Sequence, residues 1–326
     1  MTWLVWRLHR TQLYIAAGLL AALTVLLLIT GLQMASQYHS AQLTCAANHS
    51  CGSLANTVFL GNHAVGFLVI MTLGVPALFG LFWGAPLIGH ELEAGTSQFA
   101  WMQSVTRKRW LTVTAAWMLA AAAAWGGAVS GLVTWWSGPD NALQLDAFKT
   151  GRFDIMGIVP VGYALFAMAL GIAAGALLRR TLPAIAVTLA GFIAVRAVIA
   201  LVLRPHYMRP VTTTYSLLKG YTPPGTAWQI AQGIRGPAGN LIPPANGAAV
   251  NGVPLGYLPL SCAPAARGVF AAAGSCRQAL ASFRGFVSYQ PGGRYWAFQG
   301  IETGIFVVLA AIAIAVTAVA MLRRDV

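Results

Sequence analysis

Three groups of residues in this 326-residue chain have the types and spacing to do chemistry. The first is an acidic pair, Glu91 and Glu93, followed by Gly95-Thr96, the apolar Phe99 and Met102, and Thr106-Arg107. Thr96 or Ser97 can cap a short helix that places Phe99, Met102 and Thr106 on one face, a good mechanical contact for a soluble partner. The second group is Arg196, inside a long apolar run, and Glu302, at the start of another. Charge in hydrocarbon is expensive, so Arg196 is expected to face a cavity, a counter-charge or a snorkelling route to the surface. Glu302 is the acidic candidate at matching depth, and a structural pair is favoured over a substrate contact. The third group is His39, His49 and His63, which crowd around Cys45 and Cys51. Imidazole and thiolate suit zinc or copper, but the spacing matches no standard site, so no metal is expected.

The segments that must position these residues are built for a bilayer. The composition is 58% hydrophobic and 8% charged, with a mean hydropathy of +0.69. Soluble domains carry roughly a quarter charged residues, so an ordinary water-soluble enzyme and a disordered chain are both excluded. The excess of 20 Lys+Arg over 7 Asp+Glu sits mostly at the ends of apolar runs, which fits membrane orientation rather than nucleic-acid binding. Six runs reach the length of about 20 residues that a membrane helix needs: 13–33, 64–84, 111–136, 155–178, 181–203 and 301–322. The fourth and fifth are parted only by Arg179-Arg180, and Pro183 supports a fresh helix start. Arg7, Arg10, Arg107, Lys108, Arg109, Arg179, Arg180, Arg323 and Arg324 all fall on one face, which places both termini in the cytoplasm.

The four cysteines fall outside the spans and off the inner face. That distribution reads as disulfides, Cys45–Cys51 and Cys262–Cys276 being the simplest pairing, with four unpaired thiols as the alternative. The expected fold is therefore an all-α integral membrane protein of six helices. Residues 1–203 carry helices one to five with an inner loop at 85–110, and 301–326 carry the sixth helix and a cytoplasmic tail. Between them, 204–300 form a loop-rich, disulfide-stapled extracytoplasmic cap with short helices near 226–234 and 276–286. Small-residue spacings at Gly80-x3-Gly84, Gly127-x3-Gly131 and Ala167-x3-Gly171-x3-Gly175 suit close helix packing, and Pro76 suits a kink in the second span.

The inner loop resembles that of the permeases of ABC transporters, of the exporter-like type-2 class. Those proteins carry an acidic pair, Gly-Thr, a short apolar helix and a Ser/Thr-Arg segment between the second and third of six spans. Glu91, Glu93, Gly95, Thr96, Thr106 and Arg107 stand at those positions, and Trp6-Arg7-Leu8-His9-Arg10 looks like the basic N-terminal element of such permeases. The resemblance implies that the loop docks on an ATP-binding subunit, with Phe99 and Met102 seated in its groove and Glu91 and Glu93 anchoring the loop. It departs from many relatives in the length of 204–300.

The 326 residues contain no Gly-x4-Gly-Lys-Ser/Thr phosphate loop, so ATP and Mg are expected on a separate subunit and no cofactor on this chain. The expected assembly has two ATP-binding subunits and a second permease chain, identical or not, in lipid and without nucleic acid. The expected function is ATP-driven export of a hydrophobic or amphipathic molecule (lipid-like, antibiotic or peptide) across a bacterial plasma membrane. A membrane-embedded enzyme, an ion-coupled transporter and a ligand sensor using the cap are the alternatives; the first two lack convergent catalytic groups and mid-membrane titratable residues respectively.

Overall fold

The computed structural model describes residues 2–48, 74, 76, 78, 80–87, 89, 106–137, 148, 151–224, 226–263 and 274–323. The chain divides into two compact units: residues 208–295 with 146–148, and the remainder.

The larger unit is helical. Helix α1 runs Thr2–Asn48, α2 Arg107–Trp136, α3 Arg152–Ile155, α4 Val159–Leu178 and α5 Thr181–Val198. Among the described residues, five segments are long and apolar enough to cross a membrane: Tyr14–Gln37, Lys108–Trp136, Val159–Leu178, Thr181–His206 and Gly292–Met321. Of the expected second span, 64–84, only 74, 76, 78 and 80–84 are described; a π-helical turn occupies Gly80–Gly84. Arg179 adopts a left-handed conformation (φ 52°) and its N–H bonds the Gly175 carbonyl, so α4 and α5 are separate helices.

Helix α4 is the centre of this unit, with 72% of its apolar stretch buried against 17–33% for the other four. A core of Ala16, Met118, Ala122, Ala164, Met168 and Ile172 joins α1, α2 and α4. Trp125 and Trp136 of α2 tie α1 further, donating to the Ala16 carbonyl and to Thr30 Oγ1. The outer faces of α5 and of the last helix expose Leu182, Ile193, Val198, Val308 and Ile312, a surface suited to hydrocarbon.

The glycine stripes separate by their contacts. A Cβ on Gly80 would lie 2.3 Å from the Ala167 carbonyl oxygen, and one on Gly171 would lie 2.3 Å from that of Gly80. Gly84 and Gly175 are similarly tight, so the stripes at 80–84 and 167–175 mate with each other within the chain. Gly131 meets nothing within 4 Å, and its stripe is not a close-approach face.

The smaller unit corrects the all-α expectation. Strands β1 (Val211–Ser216), β2 (Trp228–Arg235), β3 (Leu241–Ile242) and β6 (Arg284–Gln290) form an antiparallel sheet in the order β1-β6-β2-β3. Strands β4 (Ala249–Val250) and β5 (Val253–Pro254) form a small hairpin, and α6 spans Gly274–Ala281. The helix expected at 226–234 is therefore a strand, and that expected at 276–286 ends at Ala281 and gives way to β6. Ala227, Trp228, Ala231 and Ile234 imitate a helical spacing, but pairing with the β-rich β6 supplies hydrogen bonds that a local reading does not see. Cys262 and Cys276 are joined by a disulfide (Cα–Cα 5.1 Å) inside a core of Ile242, Val253, Leu280 and Phe283. Helix α7, Tyr295–Arg323, returns the chain to the larger unit.

Gly171→Ala is expected to lower the thermal unfolding midpoint of the purified protein, because the π-turn backbone must retreat. Gly131→Ala is expected to raise it, by about 0.5–1 kcal/mol of removed backbone entropy. Equal effects at the two sites would contradict the mating of the stripes.

Candidate functional site

Four charged residues of the larger unit, Asp154, Arg196, Arg204 and Glu302, converge where α3, α4, α5 and α7 meet. Along α5 the inward stripe is Ala184, Thr188 and Phe192, and four residues on it reaches Arg196. In a regular α-helix, Arg204 would point about 80° away from Arg196. Ile199–Leu203, however, forms a π-helical turn, followed by a 3-10 turn at Arg204–His206. One widened turn takes up one additional residue and reduces the offset to about 20°. Both guanidinium groups are thereby aimed at the same neighbours.

Arg204 is 1% exposed and Glu302 0%. Arg204 donates from Nε to Glu302 Oε2 (2.8 Å) and from Nη2 to Glu302 Oε1 (2.7 Å), a two-pronged pair. Nη2 also donates to Asp154 Oδ1, and the guanidinium lies over the Phe153 ring, 4.3 Å from its centroid. Arg196 Nη2 reaches Asp154 Oδ2 at 3.1 Å and lies over the Tyr163 ring at 4.7 Å. The Tyr163 hydroxyl stands between the carboxylates, 2.7 Å from Glu302 Oε1 and 3.1 Å from Asp154 Oδ1; its single proton serves one at a time. Tyr207 adds a longer bond to Glu302. Two positive and two negative charges cancel, so the buried cluster is neutral.

The surrounding backbone is held just as tightly. Gly157 (φ 71°) breaks the chain between α3 and α4, so the fourth span starts at Val159 rather than at 155. Gln299 of α7 replaces a local cap: its Oε1 accepts from the Ile158 and Val159 amides at 2.9 Å, and its Nε2 donates to the Phe153 carbonyl. A Cβ on Gly157 would meet Gln299 Oε1 at 2.6 Å, so this position requires glycine on two counts. Ser130 of α2 donates to the Gly157 carbonyl, and the Gly157 amide donates to Thr134.

Burial by itself would raise the Asp154 carboxyl, but Arg204 and Arg196 outweigh it and hold the group below its ordinary value. Both carboxylates are occupied by guanidinium donors, which suits them to fixing helices rather than to proton abstraction. Among the described residues, no group of three or more His, Cys, Asp or Glu could hold a metal.

The sequence-expected residues are distributed as follows. The ion-pair partner of Arg196 is Asp154, and Glu302 is held by Arg204, so the two expected partners share one cluster but take different counter-charges. Glu302 is also not at the helix start: α7 begins at Tyr295, which places the carboxylate in its second turn. Thr106 is the N-cap of α2, its Oγ1 accepting from the Arg109 amide at 3.4 Å, and Arg107 opens the helix. Glu91, Glu93, Gly95, Thr96, Phe99, Met102 and Cys51 lie outside the described residues, as do His49, His63 and the side chain of Cys45. His39 is exposed on α1. Sequence reasoning missed Asp154 and Arg204 because both seemed to fall in loops; their signal was position, one beside each of two span ends.

A bundle of apolar helices closed by a buried ion cluster, with a separate insertion before its last helix, defines a multi-span membrane protein. Residues 17–204 match the family described as ABC-2 membrane transporter related, more than half of the chain, and the protein belongs to that family. It is accordingly a permease-type transport subunit that works with an ATP-binding partner. No curated protein and no solved structure matches the chain.

Arg204→Met is expected to cost about 3–5 kcal/mol of stability, because it strands the buried Glu302 carboxylate and leaves Asp154 to Arg196 alone. Adding Glu302→Gln is expected to recover part of the loss, and Arg204→Lys to restore less than the parent, since an ammonium lacks the fork. Thermal unfolding of the purified protein measures all three. For pH, a carboxyl depressed by folding stabilises fully above its unfolded value of about 3.9 and loses that contribution as pH falls through the folded value. The stability difference between the parent and Asp154→Asn is therefore expected to stay constant from pH 8 to 5 and to shrink only below about pH 4.

Proposed function

We propose that this chain is the transmembrane subunit of an ATP-driven exporter in a bacterial plasma membrane, with both termini cytoplasmic. Two ATP-binding subunits and a second permease chain, identical or not, complete the assembly. The observation that carries this reading is the family match over residues 17–204, which includes the loop with Glu91, Glu93, Gly95, Thr96, Phe99, Met102, Thr106 and Arg107. In this reading Phe99 and Met102 seat in a groove of the ATP-binding subunit, while the two glutamates anchor the loop. ATP and Mg are bound there and not by this chain. Closure of the ATPases pushes on 91–109, and α2, which starts at its Thr106 cap, transmits the push into the bundle.

The cluster of Asp154, Arg196, Arg204 and Glu302 supports the same reading from the other end of the helices. With Tyr163 of α4 bonded to its carboxylates, it ties α3, α4, α5 and α7 so that they move together. Cargo then passes between two permease chains, along the second and fifth spans. The exposed face of α5 is almost wholly apolar, with Leu182, Val187, Ile193 and Val198, which favours a lipid-like, antibiotic or peptide cargo over a polar solute.

Co-expression with a cognate ATP-binding subunit is expected to yield a stable complex whose ATP hydrolysis responds to the permease. The double variant Glu91→Ala/Phe99→Ala is expected to abolish that response at unchanged expression. Normal coupling in the variant would refute the docking role of the loop.

A further inference from the structure

Residues 208–295 contain seven Lys and Arg and not one Asp or Glu. The sheet gathers part of that charge into a single row. Ser216, Arg284, Arg235 and Leu241 are successive cross-strand partners over β1, β6, β2 and β3. Directly opposed residues project from the same face of a sheet. The adjacent row, Tyr215, Gly285, Ile234 and Ile242, projects from the other face and feeds the core around Cys262 and Phe283. The arginines thus occupy the face turned away from that core.

Arg235 and Arg284 are side by side, an arrangement that destabilises a sheet when nothing neutralises it. Their segment supplies no carboxylate to do so. Lys219 belongs to the same end of the sheet, since its amide bonds the Ser216 carbonyl at 3.1 Å. All three cations are exposed. Arg235 lies over the Phe286 ring at 5.3 Å, which holds it extended along the sheet. Apolar side chains stand beside them in water: Leu241 is 66% exposed and Leu218 42%.

We propose that this edge, Leu218, Lys219, Arg235, Leu241 and Arg284, docks on the anionic phospholipid surface of a membrane. Guanidinium groups match phosphate geometry, and protruding leucines enter the boundary between headgroups and acyl chains. Protruding rather than recessed leucines fit a fluid lipid surface better than a shaped protein groove. Apolar spans end at His206 and begin again at Gly292, which tethers the segment to a bilayer at the Val211–Tyr289 end of its strands. The arginine row lies five residues further along, roughly 17 Å, so docking requires the sheet to lie along the lipid surface. The inference does not depend on the transport reading.

The test uses the full chain in vesicles of phosphatidylcholine alone or mixed with phosphatidylglycerol. A bimane on Leu241→Cys reports proximity to lipids carrying a spin-labelled headgroup, with the unsubstituted protein as labelling blank. Quenching is expected in the anionic vesicles and is expected to fall sharply in neutral ones and in molar salt, where screening acts within about 3 Å. The ratio of docked to free edge is expected to drop about fivefold for each of Arg235→Gln and Arg284→Gln, while Arg→Lys variants keep most of it. Equal quenching in neutral vesicles, or insensitivity to salt in the parent chain, would overturn the proposal without reliance on any variant. Displacement by inorganic phosphate or by soluble polyglutamate, at an ionic strength where chloride has no effect, would overturn it in favour of a free-anion or acidic-protein site.

Discussion

The larger unit is organised by the penalty for removing Arg204 from water. An isolated guanidinium in an apolar interior is prohibitively unstable, so its counter-charges must arrive from elsewhere in the chain. They come from α3, as Asp154, and from α7, as Glu302, 50 residues before and 98 residues after it. Satisfying one side chain therefore sets where the start of α4, the end of α5 and the start of α7 lie. A neutral ion cluster of this type adds little net stability over a well-packed apolar one, but it strongly disfavours arrangements that separate its members. In a bundle whose helices are otherwise smooth and apolar, such specificity has unusual weight, because lipid offers no hydrophobic force to choose one helix packing over another.

Two backbone irregularities serve that arrangement. The π-turn at Ile199–Leu203 rotates Arg204 onto the stripe that already carries Arg196. The break at Gly157 separates α3 from α4 and exposes amides that Gln299 of α7 then caps. At a different level of the bundle, contact is made by absence: Gly80, Gly84, Gly171 and Gly175 let backbones meet where any side chain would collide. Polar specificity among one set of elements and close packing along α4 are complementary means of fixing helices. A permease that must move without unravelling needs bodies held together internally, and this unit has the contacts to form one.

The smaller unit solves its problem differently. It has few large apolar residues and many prolines, yet the antiparallel sheet and the Cys262–Cys276 bridge enclose a core of Ile242, Val253, Leu280 and Phe283. Its other face carries Arg235 and Arg284 in one row. The family match stops at residue 204, so residues 208–295 and α7 stand outside it, including Glu302. The bundle thus relies on a residue from beyond the matched region to neutralise its buried arginine.

Much was written in local sequence. Apolar runs of about 20 residues become membrane-spanning helices wherever they occur, because backbone groups in hydrocarbon must bond within the segment. Arg196 was legible as a residue that needs a counter-charge or a route to the surface, because it is a charge inside an apolar run. What stayed hidden depended on distant partners. The strand at Trp228–Arg235 carries a helix-like pattern that only β6 overrides. The exchange of counter-charges, Asp154 for Arg196 and Arg204 for Glu302, follows from a π-turn with no residue signature. The amino-acid sequence by itself determined that this protein lives in a membrane and where most of its helices run, because solvation acts on each segment alone. Tertiary structure decided which charges meet and which glycines touch, because those energies exist only once remote segments share a site.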